Sequence, residues 1–90
     1  MAEVRDNREL GRYELPAGGK TAVAYYHERA GRLVFTHTEV PVELRGRGLA
    51  SALVAGALDD ARARNLKVVP ACSFVRSFID NHPKYLDLLD

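Results

Sequence analysis

Ninety residues with 47% hydrophobic and 28% charged positions fit one small domain, residues 1–90, and exclude a disordered or low-complexity chain. A formal net charge of +1 supplies no global field for nucleic acid or an acidic membrane, so neither is an expected partner. One cysteine, Cys72, excludes an internal disulfide and a thiolate-rich zinc site, and it fits a reducing compartment. His27, His37 and His82 are too scattered in sequence for a metal-ligand motif, so no metal is expected. The opening MAEVRDNREL has no apolar signal core, and no apolar run is long enough to span a bilayer; the expectation is a soluble, cytoplasmic protein.

In chain order, residues 1–7 are polar and expected to be loose. Residues 12–15 alternate charge and apolar bulk as a short strand does, and Pro16-Ala17-Gly18-Gly19 supplies a turn. Residues 20–29, rich in β-formers, predict a second strand. Ala30-Gly31 closes a hairpin into a third strand over residues 32–40. From Gly48 the apolar period lengthens from two to about 3.6 residues. Leu49, Leu53, Ala57 and Ala61, with Ala50, Val54 and Leu58, form the apolar stripe of a helix, and Asp60 and Arg64 make an i,i+4 pair. Asn65 suits a left-handed helix end, and residues 67–69 a short buried strand stopped by Pro70. Strand, helix, strand at this length implies a right-handed crossover, with the last strand parallel to the third. Ser73 is the expected cap of a further helix to about Asn81, with Phe74, Val75, Phe78 and Ile79 facing inward. His82-Pro83 ends it, and a terminal turn packs by Tyr85, Leu86 and Leu89.

Chemistry concentrates where the third strand runs into the first long helix, at VPVELRGRGLA. Arg45, Gly46, Arg47 and Gly48 place two guanidinium groups and two residues without side chains at a helix N-terminus. Free backbone N–H groups and the positive end of the helix dipole favour an anion there. Glycine permits its close approach, and arginine adds fork-shaped donors. A diphosphate is the anion such a cradle suits.

The spacing Arg45-x-x-Gly48-x-Ala50 resembles the pyrophosphate motif of the GNAT superfamily of N-acetyltransferases. Val69-Pro70-Ala71-Cys72-Ser73-Phe74-Val75, then His82-Pro83-Lys84-Tyr85, with His37-Thr38-Glu39-Val40-Pro41 upstream, resemble its minimal YidJ-like (Gcn5-related) small acetyltransferase family. The resemblance covers about residues 13–85. It implies a compact α/β (α+β) GNAT-like fold, a three-stranded antiparallel meander followed by helix, parallel strand and helix. It further implies acetyl-CoA in the opening between the third and last strands, beyond their carboxyl ends. Backbone groups of Glu39 and Val40 would hold the pantetheine arm. The N–H groups from Arg45 through Gly46, Arg47, Gly48 and Leu49 to Ala50 would hold the diphosphate, with Ser51 a further donor. The implied activity is acetyl transfer to an amine of a small molecule or protein, by a monomer or homodimer. A CoA-binding or protein-interaction module without turnover is the alternative.

Two departures from the superfamily stand out. The helical segment between the first strands and the final hairpin are missing, which implies an open acceptor side. The helix after the parallel strand carries Phe78 and Ile79 where many relatives place an acid-catalytic tyrosine; Tyr85 lies further on. Cys72, just beyond the last strand, has three open readings: an acyl-accepting nucleophile, a contact for CoA, or a small buried hydrophobe. His37 and Glu39 share a strand face, and each is a candidate proton acceptor for an incoming amine. Thr36 and Thr38 face the other way and read as structural. Of Tyr25 and Tyr26, one ring is expected in the core and the other toward the acceptor.

Overall fold

The computed structural model describes residues 3–89. Alternation in the first half of the chain produces strands β1 (Arg5–Asn7), β2 (Arg12–Ala17), β3 (Lys20–Arg29) and β4 (Arg32–Glu39). The longer period of the second half produces α1 (Leu49–Ala63), then β5 (Lys67–Pro70) and α2 (Ser73–Asp80), with 3-10 turns at Val42–Leu44 and Pro83–Leu88. The sheet runs β1-β2-β3-β4-β5. Its first three pairings are antiparallel and β4–β5 is parallel. This is the expected GNAT-like order with one strand added in front.

That added strand corrects the expectation of a loose start. Arg5 pairs with Glu14 and Asn7 with Arg12. Three residues carry too little pattern to announce a strand, and distant partners hold this one. Asp6 accepts hydrogen bonds from the Tyr26 hydroxyl and, at 3.0 Å, from Arg64 Nη1. Val4 lies against Gly56 of α1. Met1 and Ala2, the rest of that expected loose segment, lie outside the described residues.

Cross-strand partners share a face, so the register shows which side of the sheet is covered. Tyr13 pairs with Ala24 and Leu15 with Ala22, and all four are buried with Leu33 and Phe35. They form one core with Leu53, Val54, Ala57, Leu58 and Ala61 of α1 and Val75, Phe78 and Ile79 of α2. Burial of these apolar side chains, at about 25 cal/mol per Å² removed from water, is what holds both helices on that face.

Two local expectations are corrected. The residue at the N-cap of α2 is Cys72, not Ser73, and it makes no side-chain cap bond. The Cys72 N–H is instead drawn to the Phe35 carbonyl at 2.9 Å. With the helix started there, Val75, Phe78 and Ile79 point inward and Phe74 is left 37% exposed. In the terminal turn Tyr85 and Leu88 are buried while Leu86 is exposed. A 3-10 turn aligns residues three apart, which selects that pair. Asn65 takes the left-handed conformation expected of it, φ 59°, and Asp60 pairs with Arg64 at 3.3 Å.

The seating of β1 gives a test. A Cβ on Gly56 would lie 2.5 Å from Val4 Cγ2. Alanine gains about 1 kcal/mol over glycine inside a helix, whereas overpacking costs about 1–3 kcal/mol. Gly56→Ala should therefore lower stability in urea by about 1 kcal/mol, with recovery in the Val4→Gly, Gly56→Ala double variant, since Val4 Cβ itself would lie 2.6 Å from the new methyl. A single variant as stable as wild type would mean that Val4 moves aside without cost.

Candidate functional site

The site begins with a bulge. Tyr25 pairs with His37 but Tyr26 with Phe35, so Thr36 is an extra residue in β4. Its hydroxyl donates to the Tyr25 carbonyl at 3.4 Å. An extra residue reverses the facing of everything after it. Leu33 and Phe35 face the helices, and beyond the bulge it is Thr38, paired with buried Ala24, that faces them. His37 and Glu39 lie on the opposite face.

Just past the bulge the parallel strands part. Their pairing runs from Arg32 and Lys67 to Phe35 and Pro70. After it β5 ends, while β4 continues to Glu39 beside β3 alone. A cavity of about 700 Å³ opens around this free end of β4, lined by Thr21, Val23, His37, Thr38, Glu39, Val40, Pro41, Val42, Arg45, Ala50 and Phe74. A second, of about 240 Å³, adjoins it and is lined by Val40, Leu44, Arg45, Gly46, Gly48, Leu49, Ala50, Ser51 and Phe74. Val40, Arg45, Ala50 and Phe74 belong to both walls.

The smaller cavity is the N-terminus of α1. Gly46 and Gly48 adopt φ of 83° and 74°, the left-handed region that side chains resist, and this sharp turn is what aims the helix at the cavity. Gly48 is the N-cap and offers no side-chain bond to the first turn, which has no acidic residue either. The first N–H groups therefore face a space bounded by the arginine. Arg45 Nε donates to the Val40 carbonyl at 3.2 Å. Arg47 is not part of either wall.

On the opposite face His37 Nε2 lies 3.3 Å from Glu39 Oε2, and both side chains are more than half exposed. A contact between two such exposed side chains is held by only about 0–1 kcal/mol, so a ligand can part it. The His37 ring stacks on Tyr25 with centroids 6.3 Å apart, and the Tyr25 hydroxyl accepts from Arg12 Nη1 at 3.2 Å. Arg12 also reaches Glu14 at 2.7 Å, and that bond holds the Glu14 carboxyl below its ordinary value. Tyr26 packs on the helix side against Tyr13 and Phe35, so the two tyrosines divide as their adjacent positions require.

Cys72 is 9% exposed and lines neither cavity. Its Sγ is 3.5 Å from Thr38 Oγ1. Burial pushes the thiol up, and the Thr38 hydroxyl with the backbone N–H groups of Val75 and Phe74 outweighs it, leaving the thiol below its ordinary value. Thr38 is the residue sequence reasoning missed: read as structural, it lines the cavity and touches the sulfur. Only the bulge gives it that place, and no local signal marks the bulge. Tyr85 is elsewhere, buried with its hydroxyl donating to Asp59 Oδ1 at 2.8 Å.

A parallel pair that parts beside an uncapped, glycine-led helix N-terminus defines the GNAT class of fold. The profile of the GCN5-related N-acetyl-transferase family matches residues 12–88, and the chain belongs to that family. Among solved structures, a GCN5-like protein of Staphylococcus aureus, determined by NMR, superimposes with a TM-score of 0.75 at 23% identity, covering 98% of this chain and 87% of its own. At that identity the likeness is one of fold. Protein NATD1 of Bos taurus is 37% identical over 71 residues, which are 76% of this chain and 63% of that protein. Protein NATD1 of Danio rerio is 31% identical over 70 residues, 76% of this chain and 64% of its own. The chain thus matches less than two thirds of the length of these relatives.

The place of Tyr85 has a measurable consequence. Burial first, and then the bond to Asp59, push its phenol up to about 12, against about 10 in an unfolded chain. A raised folded value contributes stability that is complete below about pH 10 and lost as pH climbs toward the folded value. Tyr26, raised to about 12 by burial and Asp6, acts in the same direction. Wild-type urea midpoints should fall between about pH 10 and 12, and Tyr85→Phe should flatten part of that fall. An identical slope in the variant would show that the phenol ionises freely in the folded protein.

Proposed function

We propose that this chain is an acetyl-CoA-dependent acetyltransferase with an amine acceptor, a member of its family that turns over. The observation that carries the reading is the continuity of the two cavities. One is an anion-suited helix N-terminus, and the other adjoins it with His37 and Glu39 on its wall. The N–H groups of Leu49, Ala50 and Ser51, with Arg45, Gly46 and Gly48 around them, would receive the diphosphate. Arg47 would contribute charge from outside the wall. Backbone groups of Glu39 and Val40 would meet the pantetheine arm once Arg45 releases the Val40 carbonyl.

Cys72 is the proposed acyl carrier. Its thiolate, having lost its proton to solvent, attacks the thioester carbonyl carbon; the bond to the CoA sulfur breaks, and CoA leaves as a thiolate that solvent protonates. The amine then attacks the acetyl-cysteine carbonyl. The Cys72 sulfur departs, and the amine proton passes to His37 or Glu39. Either acceptor class, a small amine or a protein amine, fits an open site. A monomer or homodimer acting in the cytoplasm completes the proposal. A second reading, a CoA-binding module without turnover, is favoured by the engagement of Tyr85 with Asp59, which removes it as an acid for the leaving thiolate.

Ser51→Glu separates binding from folding. A carboxylate in the first turn of a helix is favourable to the helix, yet here it would occupy the anion position. Calorimetric titration with CoA should show saturable binding by wild type and a loss of about tenfold or more in the variant, close to 1.4 kcal/mol, with unchanged thermal stability. Equal affinity would overturn the cradle. Incubation with acetyl-CoA should add one acetyl group by intact mass, absent in Cys72→Ala. Full turnover by Cys72→Ala would leave direct transfer in its place, and no turnover with any amine, CoA still binding, would leave the module.

A further inference from the structure

We propose that Thr38 is the positioning residue for Cys72, its hydroxyl holding the sulfur at the point where β4 and β5 part. The assignment rests on the reading of Cys72 as the chemically active thiol.

Three observations converge on it. Thr38 lines the larger cavity while Cys72 does not, so Thr38 is the member of the pair that reaches the cavity wall. Its Oγ1 is 3.5 Å from Sγ, within reach of a hydrogen bond to sulfur. The backbone around both residues is fixed: Thr38 is paired with Ala24, and the Cys72 N–H is bound to the Phe35 carbonyl at 2.9 Å. Neither partner can drift from the other without breaking the sheet or the start of α2.

The chemistry of the pair follows. Against a neutral thiol the hydroxyl can donate or accept; against a thiolate it can only donate, so it favours the ionised form. Burial of the sulfur works the other way, and the thiol lies below its ordinary value because the donors outweigh it. The Thr36 bulge is what makes the contact possible. Without that extra residue His37 would face Cys72, and Thr38 would lie on the far side of the sheet. A valine is the same shape as threonine without the donor, and serine keeps the donor without the methyl group.

The test reads the thiol, not turnover, so it is independent of CoA binding. Cys72 is the single cysteine in the chain, and its alkylation by iodoacetamide as a function of pH gives the thiolate fraction directly. Thr38→Val should move the midpoint upward by about one pH unit, an approximately tenfold slower reaction at neutral pH, and Thr38→Ser should restore it toward wild type. An unmoved midpoint in Thr38→Val would overturn the assignment. So would a Thr38→Ser curve matching that of Thr38→Val, since the methyl group would then be the operative part. Should Thr38→Val fail to fold, Thr38→Ala takes its place with the same two outcomes. A shifted midpoint in a protein that binds no CoA would uphold the Thr38–Cys72 pair and reject the acetyltransferase reading alone.

Discussion

Everything at the candidate site depends on where the β4–β5 pairing stops. Parallel strands exchange slanted, evenly spaced bonds, with alternate residues of each strand donating to a given neighbour. Lys67 donates to the Gly31 carbonyl, but the Ala71 N–H, which would next reach β4, turns back to the Val69 carbonyl. It is the Cys72 N–H that takes the Phe35 carbonyl. That single bond ends the sheet, starts α2 and leaves the last residues of β4 free on one side. Two cavities, a cysteine and a helix N-terminus meet there because the ladder cannot go further.

The bulge at Thr36 is the second constraint, and the two act on the same few residues. The parting of the strands frees the edge of β4; the bulge decides which side chains that edge shows to each face. Thr38 goes to the helices and the sulfur, His37 and Glu39 to the open face beside Tyr25. The strand thus separates the Cys72 sulfur, behind Thr38, from the His37 and Glu39 side chains on its other face.

Much of this was legible in the sequence, and the exceptions share a cause. Alternation located β2, β3 and β4, and the change of period located α1 to within a residue, because each signal repeats over many positions. The glycines at 46 and 48 announced a turn that the backbone requires, and Asn65 announced the helix end. What escaped was settled by partners far along the chain. The strand at Arg5–Asn7 exists because Asp6 meets Tyr26 and Arg64. Phe74 is exposed because Phe35, not Ser73, sets the start of α2. Thr38 reaches Cys72 because of one unpaired residue whose only trace is a register shift. Local pattern reads local forces, and these three outcomes are long-range.

The two outermost strands are also the shortest. β1 has three residues and β5 has four, the last of them proline. Unpaired strand edges are templates on which other chains can assemble, and brevity with a missing donor is among the ways proteins blunt them. Among the described residues each outermost strand is a short stub, a poor template for a neighbouring chain.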